Sequence, residues 1–465
     1  AIWARAVPAP RRRRARAPAR PPAALMLGVL LWLCLASPAP AVEIDPSTIY
    51  NDWCDTANPT IPSVKCTVRL MDDQLNNHTF DYDKWQVSMK GFWVQDGRPS
   101  KDGMVYITNW TPFQGSGAGG KKCLNTCYDL QDWFYCEHVP WNRAFARHSF
   151  NQMLFIGEEF PGQDIPGMAS TTTYANLEWD RASGDICGIE FAAGPPGEAP
   201  KRGLARIFDF YHLKYENNEK LMRIKTNWML LDIPLLMMQA NGGASVIPRA
   251  RTARDGDLVL LPRANDGVPA PTWYAHALGA AERASVRGVA ERALERALGI
   301  HGGAAGTVDD ADACVTYLSP LFAPDLQFSG CLGVGVSTTL EEFCSQVRRP
   351  LLKAITGPRS FDVDVLVCEQ RYCGVHGHLR GNRSRDHPWL DEAPPAPGSD
   401  PAGGVGRLRV GIHTRVNEDL KVEDMWFLAD IPKWYADAGE NLWGRLARAP
   451  EPAAAGKAPE VVIYQ

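Results

Sequence analysis

A seven-residue signature, Trp-x-x-x-Asp-Ile-Pro, occurs twice, at Trp228 to Pro234 and at Trp426 to Pro432. Reading backwards from each copy, further matches keep one order. His212-Leu-Lys214 answers His413-Thr-Arg415, and Cys187-Gly188-Ile189 answers Cys373-Gly374-Val375. Phe150 with Glu158 answers Phe361 with Glu369. Leu130-Gln-Asp132-Trp133 with Pro140 answers Leu340-Glu-Glu342-Phe343 with Pro350, at the same Leu-to-Pro spacing. Five matches in one order indicate an internal duplication. The chain is therefore expected to hold two copies of one domain, and whatever folds must fold twice.

Periodicity supplies the elements of that domain. Phe343, Val347, Leu351 and Ile355 recur every four residues, which is one face of a helix. Phe361 to Val367 alternates as a strand, with Tyr372 to His378 as its partner after a short turn. Val410 to Val416 and Val422 to Asp430 flank the turn Asn417-Glu-Asp419 as a second hairpin, and an Ala-rich helix is expected over Tyr274 to Leu298. Helices followed by antiparallel hairpins give an α+β layer arrangement. Each copy is expected to be cone-shaped, a curved, mainly antiparallel sheet packed against helices around a pocket.

At 465 residues the chain is long enough for two or three domains. Its net charge of −4 argues against a nucleic-acid partner. Residues 1–41 read as a signal peptide: arginines up to Arg20, the apolar run Ala24 to Ala36, then Ala39-Pro40-Ala41 at a cleavage spacing. That run is too short to span a bilayer, so no stable membrane span is expected after its removal. Eleven cysteines follow, with three Asn-x-Ser/Thr triplets at Asn77, Asn109 and Asn382. Together these point to the secretory lumen or the exterior, to disulfides, and to a glycoprotein. Cys368 and Cys373 flank a short turn and are expected to bridge it. The expected divisions are 42–83, a Cys-containing extension; 84–240, the first domain; 241–272, a Pro/Gly/Arg-rich linker; 273–446, the second domain; and 447–465, a tail. The two domains are expected to pair with each other or to form homo-oligomers.

The second copy resembles SnoaL-like polyketide cyclase domains, of the nuclear transport factor two superfamily. The residues that carry the likeness are Leu321-Phe-Ala-Pro-Asp325, the Leu340 helix with Arg349-Pro350-Leu351-Leu352, the strand His413-x-Arg-Val416, and Trp426-x-x-x-Asp430. The first copy resembles the family more loosely over Met104 to Met238, departing at Gly115 to Gly120 and the cysteines around it. The resemblance implies a pocket for a small hydrophobic or polyketide-like molecule, with cofactor-free acid–base chemistry of a cyclase, isomerase or dehydratase type. Many relatives only bind, so a secreted ligand- or protein-binding module is the alternative.

Alternation along the last strand puts Val422, Asp424, Trp426, Leu428 and Asp430 on one face, expected to point at the helices. Enclosure raises a carboxyl pKa towards neutrality and equips it for proton transfer. Asp430 and Asp424 are the catalytic candidates of the second copy, and Asp232 that of the first. The other reading of Asp232 and Asp430 is an N-cap on a helix that begins at Ile-Pro. His413 and His212 are read as equivalent and as further proton-transfer candidates, although His413 shares its face with Arg409 and Arg415 and is expected at the surface. The second copy is expected to bind or react, the first to support it. His376, His378 and His413 are the only grouping that suggests a metal, and the first copy lacks it. No Walker loop, dinucleotide fingerprint or nucleophile elbow occurs. Neither metal nor cofactor is expected.

Overall fold

The computed structural model describes residues 63–76, 79–94, 103–110, 125–179, 184–191, 199–215, 222–240, 278–300, 311–384 and 404–437. The signal-like segment, the linker, the tail and the Gly-rich run at 115–120 lie outside them.

The first half has strands β1 (Val105–Ile107), β2 (Thr126–Cys127), β3 (Arg147–Glu159), β4 (Gly167–Trp179), β5 (Gly184–Ile186), β6 (Ile189–Phe191), β7 (Lys201–Tyr215) and β8 (Met222–Leu231). The second has β9 (Phe322–Ser329), β10 (Val336–Ser337), β11 (Ile355–Glu369), β12 (Tyr372–Arg383), β13 (Val405–Val416) and β14 (Val422–Ala429). One six-stranded sheet runs β2-β1-β8-β7-β4-β3 and the other β10-β9-β14-β13-β12-β11, which is the same order. In each, the short first strand lies parallel to the last and the other neighbours are antiparallel. The fold is α+β, two mixed sheets packed with helices.

The pre-sheet helix shows how similar residues yield similar local structure. Asp129 caps Leu130–Trp133 by accepting from Asp132 N at 2.8 Å, and Thr339 caps Leu340–Glu342 by accepting from Glu342 N at 3.1 Å. Each helix then passes through a π-helical segment, Phe134–His138 or Phe343–Arg348. Each resumes α geometry at a proline, which has no N–H to give, and the bond just before it, Val139 N to Phe134 O or Arg349 N to Cys344 O, spans five residues. A π segment inserts one extra residue and swings its side chain off the regular face.

The ladders correct two of the correspondences. The residue opposite Trp228 is Phe210, whereas the residue opposite Trp426 is His413. His212 faces Thr226 just as Arg415 faces Asp424, so the two histidines stand two positions apart in the shared frame. Cys373 lies on β12, whose counterpart is β4, while Cys187 sits with positive φ in the turn of the small β5–β6 ribbon. That ribbon lies between β4 and β7 and shifts the sequence spacing.

Both sheets are covered twice. β7 is buried continuously from Leu204 to Tyr211, and β13 from Leu408 to Thr414, because one face meets helices and the other meets the opposite sheet. Between the sheets, His413 stacks on Phe210 at 5.2 Å and meets Phe208 at 4.7 Å, and His376 lies 5.7 Å from Trp228. The approach is close enough that a Cβ on Gly411 would sit 2.7 Å from Phe210. His413 is thus fully buried, not superficial. Its strand reads as charged because Arg409 serves the contact between the halves.

Two arginines at matching positions join the halves. Arg206 donates to Asp232 Oδ2 at 2.6 Å, to Ser329 Oγ at 2.8 Å and to Gly330 O. Arg409 donates to Thr108 O at 2.7 Å, Ile107 O at 3.2 Å, Met229 O at 3.0 Å and His376 Nε2 at 2.9 Å. Each reaches the end of the other half's first strand, a reciprocal arrangement of the kind an isologous contact requires.

The described disulfides include Cys314–Cys344 and the expected hairpin bridge Cys368–Cys373. Cys127, Cys136 and Cys331 are buried thiols. Asn109 is wholly buried; its amide donates to Leu231 O at 2.8 Å and accepts from Leu231 N at 2.9 Å, so this triplet pins β1 to β8. Asn77 lies outside the described residues, and Asn382 is exposed on β12. Among the described residues, no helix is long and apolar enough to cross a membrane.

Candidate functional site

The helix-facing side of the first sheet, not the second, carries a polar cavity. Counted together with the open space at its mouth, it spans about 610 Å³. Its floor is Ile207, Asp209 and Tyr211 on β7 with Asn227 and Met229 on β8. Trp133, Glu137 and Trp141 descend from the π-containing helix. Met71, Asp72 and Leu75 close it from the helix Ser63–Leu75, inside the expected extension.

Glu137 lies in the π segment, and its Oε1 accepts from the Tyr106 hydroxyl at 2.8 Å. Burial pushes its carboxyl up to about 8, against the pull of that hydrogen bond. Asp209, 8% exposed, accepts from Asn227 Nδ2 at 3.1 Å. Burial raises it to about 7, with the Asn227 bond opposing and Glu137 adding to the rise. Two carboxyls thus titrate near neutrality in an aromatic-walled cavity. An acid with such a pKa both takes and returns protons at pH 7.

The five residues singled out from the sequence stand elsewhere, and none lines either described cavity. The last strand turns Met425 and Phe427 to the helices, so Asp424, Trp426 and Leu428 face the other way. Both faces of that strand are apolar, and alternation alone does not say which meets the helices. Asp424 pairs with Arg415 Nε at 2.5 Å. Asp232 accepts from Leu235 N at 3.3 Å as a helix cap, pairs with Arg206, and accepts from Leu332 N of the second half. Asp430 accepts from Lys433 N at 3.2 Å in the matching cap; burial raises it to about 7, with Arg409 opposing. His413 takes Thr172 Oγ1 at 3.0 Å from Nδ1, and burial pushes it down to about 3. His212 packs edge-on to Trp228 at 4.7 Å, and burial lowers it to about 4. Among the described residues no His/Cys/Asp/Glu cluster suits a metal ion.

Sequence reasoning passed over Asp209 and Glu137. Phe208, Phe210 and His212 give one face of that strand its aromatic character, and Asp209 alternates onto the other. Yet the shared Leu-to-Pro spacing already sets Glu137 opposite Val347, an acid against an aliphatic.

No protein-family model matches the chain, and no curated protein does. Among solved structures, the chain is similar to a protein described as a SnoaL-like polyketide cyclase from Jannaschia sp. CCS1, at 12% identity, covering 34% of this chain and 92% of that one, with a TM-score of 0.26. An NTF2-like protein from Burkholderia thailandensis E264 gives 18% identity, 33% and 97% coverage, and a TM-score of 0.23. A protein described as a polyketide cyclase from Streptomyces antibioticus gives 16% identity, 28% and 89% coverage, and 0.22. At these values the likenesses add nothing to what the strand order already gives.

Proposed function

We propose that the chain is a secreted protein whose first half encloses a small, largely apolar molecule and moves a proton on it without a cofactor. The observation that carries this reading is Asp209, poised at about 7 inside an aromatic cavity. A carboxyl held there is a stronger base than an exposed aspartate and needs little reorganisation to act. Asp209 is the shuttling group, Asn227 fixes its orientation, and Glu137 with Tyr106 forms a polar anchor for the ligand. The reaction class is proton transfer beside a carbonyl, as in isomerisation or aldol-type cyclisation. The sequence resemblance to SnoaL-like cyclases supports it, and the disulfides support an oxidising compartment. The capping aspartates, Asp232 and Asp430, are assigned to helix starts and to the contact between halves.

Hydrogen–deuterium exchange at the α-carbons of cyclohexanone and β-tetralone, followed by proton NMR in D2O, tests the reading. Catalysed exchange is expected, reduced at least about 100-fold by Asp209→Asn. Exchange undiminished in that variant removes Asp209 from the role. Binding of either ketone without any exchange leaves a binding module.

A further inference from the structure

We propose that His376 senses acid on behalf of the first-half cavity: a proton on its Nε2 evicts Arg409 from the seam between the sheets and loosens the strands that Arg409 holds. The effect on a bound molecule rests on the reading of that cavity as a ligand site; the loosening does not. His376 is fully buried on β12, and its Nε2 lies 2.9 Å from Arg409 Nε. A guanidinium only donates, so this nitrogen accepts, and the neutral ring carries its proton on Nδ1, 3.0 Å from Asp364 Oδ2. A second proton has only Nε2 to occupy. There it sets N–H against N–H and two positive charges side by side. Arg409 makes three more bonds, to Thr108 O, Ile107 O and Met229 O of the first half. These carbonyls lie on or next to β1 and β8. Met229 lines the cavity, and Ile107 follows Tyr106, which donates to Glu137. Displacing Arg409 therefore loosens the cavity floor.

The neighbours of His376 fix the direction of the response. Asp364 faces it from β11, Arg409 from β13, and His378 on its own strand lies 3.2 Å from the same Asp364 oxygen. From the first half come Phe210 and Trp228, at 5.3 and 5.7 Å. Beyond those rings stand two more buried histidines: His413, stacked on Phe210, and His212, against Trp228 with Asp364 and Lys225 as its charged neighbours. Burial pushes His376 down to about 3 against the pull of Asp364, and Arg409 and His378 add to the fall. Asp364 stays charged, because His376 and His378 hold it below the usual carboxylate range although burial alone would raise it. The closed seam is thus at full strength above the ordinary histidine value of 6.5 and is disfavoured as pH falls. At pH 4.5, exposing one such ring favours the open form by about 100-fold. Arg409 also feels Asp430 and Asp209, which burial raises to about 7, and Glu137 stands at about 8. These acids are largely protonated by pH 6, so a change below it belongs to the histidines.

Deuterium uptake by the full chain at pH 6.0 and 4.5, corrected for the intrinsic pH dependence of amide exchange, tests the opening. Peptides over 105–110 and 222–231 are expected to lose protection at least about tenfold at pH 4.5, while the helix Ala280–Ala297 keeps its own. His376→Gln retains an acceptor for Arg409 and takes no proton, so it is expected to cut that loss to about twofold. His376→Asn, a smaller acceptor that does not titrate, serves if the first variant folds poorly. Calorimetric titration with β-tetralone, a neutral probe, is expected to show binding at least about tenfold weaker at pH 4.5 than at pH 6.0, with the same relief in the variant. Unchanged protection of β1 and β8 in the wild type overturns the sensor. So does a loss undiminished in the variants, or one that the Ala280–Ala297 helix shares, which is general unfolding. Opening without any change in β-tetralone affinity overturns the link to the cavity. No β-tetralone binding at either pH removes the ligand-site reading, and uptake alone then decides the sensor.

Discussion

On the helix-facing side of the first sheet stand Asp209, Asn227 and Tyr106; at the same ladder positions of the second stand Ile412, Met425 and Phe328. Above them, Glu137 in one π segment answers Val347 in the other. The second cavity, about 320 Å³ with the open space at its mouth, is walled by Phe343, Val347, Ile412, Met425 and Phe427 and has no polar side chain. Strand order, capped π-containing helix, capping aspartate and interface arginine are all retained across the halves. The cavity lining is not. What holds the scaffold together lies at helix ends and between the sheets, so the lining is free to change without loss of the fold. The expectation that the second copy holds the chemistry thus meets a cavity there that is apolar throughout.

The contact between the halves is where the largest loss is expected. Arg206→Ala strips Asp232 of its partner at 2.6 Å with both side chains buried. An uncompensated buried charge costs about 3–5 kcal/mol. Arg409→Ala removes donors from carbonyls and leaves no comparable ion pair broken, so a smaller loss is expected. Urea unfolding at pH 7 ranks the two. A larger loss for Arg409→Ala breaks the account of how the halves are joined.

A pH series separates the cavity from the interface. Asp209 and Glu137 have ordinary values of 3.8 and 4.5 and are raised by burial to about 7 and about 8. Between those limits the folded chain keeps protons that the unfolded chain has released, so stability falls as pH rises. His376, His413 and His212 run the other way. Burial takes them from 6.5 to about 3, 3 and 4, so below about pH 6.5 the unfolded chain binds protons that the folded one refuses. That interface limb loses stability as pH falls. Importing the second half's residues, as Asp209→Ile with Glu137→Val, is expected to flatten the alkaline limb by at least about 2 kcal/mol between pH 5 and pH 8.5. The acid limb should not change, and Asp430 keeps a residual alkaline slope in the variant. An alkaline limb unaltered by the double substitution shows that the cavity acids do not titrate as described.

Much of the scaffold was legible because it depends on local chemistry. The Leu-to-Pro spacing, Asp129 and Thr339 before the helices, and the Asp-Ile-Pro starts report caps and prolines, whose geometry is set within a few residues. The site was less legible, because alternation fixes which residues share a face and not what that face meets. Asp424 and Trp426 lie where a one-sided sheet would place its pocket, and the first half's sheet covers that side instead. His413 beside two arginines looked solvated for the same reason. Glu137 reaches the cavity through a π turn, and a regular helical period does not reveal one.

The smallest effect concerns the caps that the two halves share. Asp129→Ala and Thr339→Ala each remove a side-chain acceptor from the first turn of the π-containing helix, Asp132 N at 2.8 Å in one half and Glu342 N at 3.1 Å in the other. Each is expected to cost about 1 kcal/mol, the usual value of an N-cap. Thr339 sits in a reciprocal arrangement, since Glu342 Oε2 accepts from Thr338 N at 2.8 Å and keeps part of the turn satisfied after the substitution. The Asp129 variant should therefore lose a few tenths of a kcal/mol more. Only that variant should also weaken binding of a cavity probe, because the turn it loosens leads directly into the π segment carrying Glu137, whereas the matching segment carries Val347. Thermal unfolding measures the first quantity and calorimetric titration with β-tetralone the second. If Thr339→Ala alters the titration as much as Asp129→Ala does, the probe is not in the first half.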